Sequence, residues 1–181
     1  MRLLLTVLFI TIMTSNLLGQ NKYLDKEGYI SFFSKAPVED IESYNNQVFS
    51  LIDIDSGEIN VQLLVKSFLF EKALMREHFN ENYMESDKFP KARFKGKIDN
   101  LKAMLDGSES EVVINGTLNI RNIENSITVY SRIQKLDDEI ILKGEFTVLV
   151  ADFDIKIPMA VINNIAKEIK VQFLFQHKPY K

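Results

Sequence analysis

No cysteine and no tryptophan occur in the 181 residues. Lack of cysteine excludes a disulfide framework, a thiolate metal site, a cysteine nucleophile and an acylated cysteine anchor, so the chain must be held together by its core. Histidine is nearly as scarce. His78 and His177 are the only two, and neither has a second histidine at metal-ligand spacing, which argues against zinc. Four prolines and seven glycines form no linker, and no low-complexity tract or fixed-period repeat divides the chain. Lys and Arg (22) are outnumbered by Asp and Glu (25), for a formal net charge of −3, and no basic block stands out. That balance supplies no electrostatic footprint for nucleic acid or for an anionic membrane surface.

The first residues set a destination. Arg2 precedes a largely apolar stretch over residues 3–13, followed by Thr14, Ser15 and Asn16 and then Leu17, Leu18 and Gly19. This reads as a secretory signal peptide over residues 1–19, cut after Gly19. An uncleaved anchor is the competing reading, but the stretch is shorter than the roughly 20 residues that span a bilayer. Residues 20–181 then form one domain in the periplasm or outside the cell, with no stable membrane insertion after cleavage. A homodimer is compatible with the sequence.

What is present is alternation. Ile140, Leu142, Gly144, Phe146, Val148 and Val150 fall on every second residue, with Lys143, Glu145 and Thr147 between them. The same period marks Ile30 and Phe32, residues 48–54, then Ile59, Val61, Leu63 and Val65, and residues 92–98 around Phe94. It returns over 112–120, 126–136 and 139–152, and in Ile169, Val171, Phe173 and Phe175. About eight strands follow, with turn signals at Ser56-Gly57, Asp106-Gly107 and Asp137-Asp138. Asn115-Gly116 is a strong hairpin dipeptide, but the alternation runs through it in register, which keeps it inside a strand. Eight antiparallel strands are the number that closes around one small ligand.

Residues 71–85 depart from the pattern. Met75, Phe79 and Tyr83 recur every fourth residue among charged neighbours, which predicts a short amphipathic helix that Pro90 terminates. A second helical stretch is expected over 159–167, opened by Pro158.

Several apolar rows are interrupted by a small residue. Gly116 sits between Ile114 and Leu118, Ser131 after Val129, and Gly144 before Phe146. Such gaps predict a hollow lined with hydrocarbon, while thirteen phenylalanines keep a packed core as the competing reading. The candidate lining of the hollow is Ile59, Val61, Leu63, Phe94, Ile114, Gly116, Leu118, Val129, Ser131, Gly144, Phe146, Val148 and Val150, with Met75, Phe79 and Tyr83 at its mouth. Asp53, Asp55 and Glu58 around Gly57 lack the spacing of a calcium loop and read as an acidic turn. Asp152 and Asp154 read as solvated carboxylates near a strand end. No nucleophile elbow accompanies His78, so no catalytic residue, metal or cofactor is assigned.

Residues 68–96 contain Leu74-Met75, Glu77-His78-Phe79-Asn80, Tyr83-Met84, Phe89-Pro90 and Phe94 followed by Gly96. Ser56-Gly57-Glu58-Ile59, Asn115-Gly116-Thr117-Leu118 and Gly144-Glu145-Phe146-Thr147 lie outside that stretch. Together these pieces resemble the YceI-like family of exported lipid-binding proteins, in its Bacteroidetes form, over nearly all of residues 20–181. The resemblance implies an all-β, eight-stranded antiparallel, lipocalin-like barrel with a helix against its mouth. It also implies a polyisoprenoid or fatty-acyl lipid as partner, carried without catalysis. Where many members have an arginine this chain has Val150, and where they have glycine shortly after it has Asp154, so no polar head-group anchor carries over at that point. A lipid-modifying enzyme using His78 with Glu77 or Asp152, and a solid-core envelope interaction module, are the alternatives.

Overall fold

The computed structural model describes residues 21–35, 40–157 and 166–180. The segment 1–19 lies outside the described residues, as does nearly all of the helical stretch expected over 159–167. Nine strands are described: β1 (Lys22–Ser34), β2 (Ile41–Asp53), β3 (Glu58–Leu64), β4 (Leu69–Phe70), β5 (Lys91–Ile98), β6 (Ser110–Ile120), β7 (Ile123–Leu136), β8 (Glu139–Leu149) and β9 (Glu168–Pro179). Helix α1 (Ala73–His78) runs into a wide helical turn at Phe79–Tyr83, so the amphipathic helix forms where the four-residue spacing placed it.

Eight strands close into an antiparallel barrel in the order β1-β9-β8-β7-β6-β5-β3-β2, sealed by the pairing of β1 with β2. Closure removes the unpaired edges that an open sheet would expose. The two-residue β4 pairs with Ser43 and Tyr44 of β2 at one rim. Register through Asn115 and Gly116 is unbroken on both sides of β6, so that dipeptide stays within its strand. The irregularity lies instead in β1, whose pairing with β2 shifts between Asp25 and Ile30.

Turn chemistry follows residue type. Arg121 and Asn122 both take positive φ (54° and 61°), the conformation that lets two residues join β6 to β7. In the acidic turn, Asp53 Oδ1 accepts the backbone N–H groups of Asp55 (3.0 Å) and Ser56 (3.1 Å), which spends its carboxylate locally. Gly57 follows at φ 75°, where a Cβ would stand 2.2 Å from the Ile98 carbonyl oxygen.

β8 ends at Leu149, three residues before the strand expected from alternation, and Val150–Phe153 form a 3-10 turn. Asp152 and Asp154 therefore do not share a strand face. Asp154 stands at φ 50°, the left-handed region that glycine enters freely and that aspartate tolerates.

The two ends of the barrel differ. Away from α1, the inward row is fully buried hydrocarbon: Ile52, Ile59, Ile98, Ile114, Ile133, Ile140 and Leu142. Leu101, on the turn after β5, is buried with them. At the α1 end the inward residues Ile30, Phe32, Phe146 and Ile120 are only partly buried, because they surround a cavity.

Candidate functional site

Inward residues at the α1 end enclose a cavity of about 580 Å³. That lies within the roughly 300–1,000 Å³ usual for small-molecule sites. Its walls come from the last inward positions of β1 (Ile30, Phe32), β3 (Leu63), β6 (Leu118, Ile120) and β8 (Phe146, Val148), and from the first of β5 (Ala92) and β9 (Ile169, Val171). Val65, Phe68 and Phe70, then Val150, Phe153 and Ile155, complete the rim, while Met75, Phe79, Tyr83 and Met84 come from the helical segment. Polar side chains are few: Ser34, Lys72, His78 and Tyr83. Burial raises the Tyr83 phenol above its ordinary value, so it stays neutral.

Eight of the sixteen residues expected to line a hollow lie on this cavity: Leu63, Met75, Phe79, Tyr83, Leu118, Phe146, Val148 and Val150. The other eight do not line it. Ile59, Ile114 and Val129 are buried in the solid end, and Val61 and Phe94 pack against that core. Gly116 and Gly144 open no hollow either, because aromatic rings fill the space, and Ser131 is buried with its Oγ beside Gly144. A Cβ on Gly116 would stand 2.5 Å from Phe94 Cζ and 2.4 Å from the Lys95 carbonyl oxygen; one on Gly144 would stand 2.8 Å from Phe173 Cζ and 2.7 Å from Ser131 Oγ. The cavity lies at the strand ends beside the helical segment.

Ile30, Phe32, Ile169 and Val171 belonged to recognised strands but carried no gap to mark them. Phe68, Phe153 and Ile155 lie outside the strands, and Phe70 lies on the two-residue β4, too short to show a period, so no local pattern could have placed them.

Two contacts hold the helical segment over the opening. Phe79 stands against Phe32 of β1 (ring centroids 5.5 Å), Phe68 (5.6 Å) and Phe70 (5.0 Å). Arg121, at the β6–β7 turn, pairs with Glu85, donates from Nη1 to the Asp154 carbonyl oxygen (2.6 Å) and lies over the Phe89 ring (5.4 Å). Its side chain is only 12% exposed, so the pair is partly withdrawn from solvent. No α1 residue is fully buried, and Phe79, just past its end, supplies the aromatic contacts that tie the segment to the barrel. Phe79→Ala is expected to raise the release rate of a bound long-chain probe about tenfold by removing aromatic contacts, with a smaller change in capture. Stopped-flow fluorescence would measure both rates, and an unchanged release rate would show that the segment does not gate the cavity.

His78 lines the cavity mouth and is exposed. Glu77, next to it, is exposed and outside the lining, and the Asp152 backbone carbonyl accepts from Asn125 Nδ2 (2.7 Å). Val150, standing where an arginine is expected from the resemblance, is buried in the wall and keeps it hydrocarbon. Among the described residues, no helix is long and apolar enough to cross a membrane.

Three solved structures share this architecture at low identity. A polyisoprenoid-binding domain from Saccharophagus degradans, implicated in plant cell wall breakdown, superposes with a TM-score of 0.77 at 15% identity, covering 89% of this chain and 99% of that one. BcnA from Burkholderia cenocepacia gives 0.65 at 13% identity, covering 82% and 95%. The YCEI protein of Campylobacter jejuni gives 0.65 at 12% identity, covering 81% and 90%. No curated protein matches the sequence. The profile of the YceI-like domain, by contrast, matches residues 14–177. A match of that extent, on a closed eight-stranded barrel with a helix-covered apolar cavity, means that the chain belongs to the YceI-like domain family.

Proposed function

We propose that the protein is an exported carrier that holds the apolar tail of a long-chain amphiphile, a polyisoprenoid or a fatty-acyl lipid, inside its barrel without chemically altering it. The observation that carries this reading is the 580 Å³ cavity, whose wall is hydrocarbon apart from a few polar groups. A tail that buries roughly 400 Å² of apolar surface gains on the order of 10 kcal/mol gross at about 25 cal/mol per Å², before association and ordering costs. Binding of that size requires no nucleophile. The segment at residues 1–19 supports delivery to the periplasm or beyond. The Saccharophagus degradans relative, a polyisoprenoid-binding domain, supports the choice of ligand class.

Lipidomics of protein purified without detergent tests the reading, with native mass spectrometry to establish stoichiometry. One co-purifying long-chain lipid per chain is expected. Repeated recovery of empty protein that also ignores added long-chain probes would overturn it.

Filling the cavity supplies a second test. Val148 lines the wall and is only partly buried, so Val148→Trp places an indole in open space. Affinity for a fluorescent long-chain probe is expected to fall at least about tenfold. The melting temperature should hold, since a side chain entering an existing void need not overpack a core. A variant that melts early yet binds normally would mean that the wall is misassigned.

A further inference from the structure

The cavity ends at one level around much of the barrel. On β9, Ile169 and Val171 line it and the next inward residue, Phe173, does not; on β8, Val148 and Phe146 do and Gly144 does not. On β1 the lining stops after Ile30, before Gly28, and on β6 after Leu118, before Gly116. Immediately past that level, an aromatic ring lies over each of these glycines. A Cβ would stand 2.8 Å from Phe173 Cζ at Gly144, 2.6 Å from Phe175 Cδ1 at Gly28 and 2.5 Å from Phe94 Cζ at Gly116. Absence of a side chain leaves room for each ring to lie close against the glycine backbone. The rings also support one another, with Phe173 stacked on Phe175 (centroids 5.2 Å) and in contact with Phe146 (6.4 Å).

We infer that this ring-over-glycine layer is a length gauge: Phe173, one inward position past the cavity and in contact with the lining ring of Phe146, backs the floor that limits how much of an apolar tail the barrel encloses, and the ligand is a single-chain amphiphile inserted tail first. The inference rests on the lipid-carrier reading and deepens it. A cavity of 580 Å³ closed off at one level encloses only a limited length of chain. A much longer isoprenoid would leave the remainder of its chain outside. Orientation follows from chemistry, because the helical segment contributes Lys72, His78 and Tyr83 while the floor is aromatic hydrocarbon. A polar end placed downward would lose its water and find no partner.

Competition between a fluorescent long-chain probe and a series of straight-chain fatty acids from about 12 to about 26 carbons reads the gauge directly. Each methylene that enters the cavity should tighten binding by about fourfold, and the gain should cease at a defined length within the series. Phe173→Ala removes the six ring carbons beneath the cavity and should move that break upward by about two to four carbons. If the alanine variant does not fold, Phe173→Leu provides a smaller shift in the same direction. A constant gain per carbon across the whole series in the unaltered protein would overturn the gauge while leaving the carrier reading intact. A break unmoved by a folded Phe173 variant would also overturn it. Failure of every chain length to bind would remove both readings, which separates the two failures.

Discussion

Gly116→Ala is expected to cost the barrel about 3 kcal/mol or more, at the upper end of the range for overpacking a closed core. The added methyl carbon would lie 2.4 Å from the Lys95 carbonyl oxygen, 2.5 Å from Phe94 Cζ and 2.7 Å from Gly96 Cα. Two of those three atoms are backbone, held in the β5–β6 ladder where Gly96 pairs directly with Gly116, so they cannot rotate away. Gly144→Ala should cost less, because two of its three nearest contacts, Ser131 Oγ and Phe173 Cζ, belong to side chains. Urea unfolding at neutral pH would rank the two. An alanine at 116 that leaves the midpoint unchanged would mean that the glycine marks open space after all. Phe94→Ala combined with Gly116→Ala should not restore stability, since the carbonyl contact remains.

Stability should also fall by roughly 3 kcal/mol on acidification from about pH 6.5 to below pH 4, at about 1.36 kcal/mol per pKa unit, and one buried ring accounts for it. His177 is fully buried on β9 at the closed end. Burial pushes its imidazole down from 6.5 to about 4, against the opposing pull of the Ile140 carbonyl and the Asp25 carboxylate. Its Nδ1 stands 3.2 Å from the Ile140 carbonyl oxygen, which can only accept, so Nδ1 carries the proton and donates it there. Nε2 then accepts from the Ser50 hydroxyl at 2.8 Å. A neutral ring satisfies both partners; a protonated one would turn the Ser50 hydroxyl from donor to acceptor and leave a cation buried away from water, which is the cost that burial imposes.

Between pH 6.5 and 4 the unfolded chain binds a proton at this ring that the folded chain refuses. Stability is therefore complete above the unfolded value, declines through that window and levels off below it. Chemical denaturation across pH 4–8 would show the slope. His177→Gln should lower stability at pH 7 and remove this component of the pH dependence; an unaltered slope would place the effect on another group.

Much of the fold was legible because strand period is local. Alternation from Ile59 to Leu63, from Val112 to Ile120 and from Ile140 to Val148 requires only neighbours in sequence, and so does the four-residue spacing of Met75, Phe79 and Tyr83. Turn residues such as Gly57 likewise declare themselves by type. The boundary at Leu149 was not legible, since Val150 continues the alternation although the backbone has already turned.

The interrupted rows show where local reading stops. Gly144 and Ser131 look like gaps along their own strands, yet whether a gap is empty depends on what stands across from it. Register places Gly144 opposite Phe173, 29 residues later, and Ser131 opposite Gly144. Only the closed barrel brings those partners together. By itself the sequence determined the strand set, the helix stripe, the inward rows and the apolar character of whatever they enclose, because periodicity and composition are properties of short segments. Tertiary structure alone decided that rings from neighbouring strands fill the glycine gaps, that the cavity opens at the strand ends under α1, and that Phe68, Phe70, Phe153 and Ile155 help to wall it. Packing between residues distant in the chain is set by register and closure, and neither is written in any one strand.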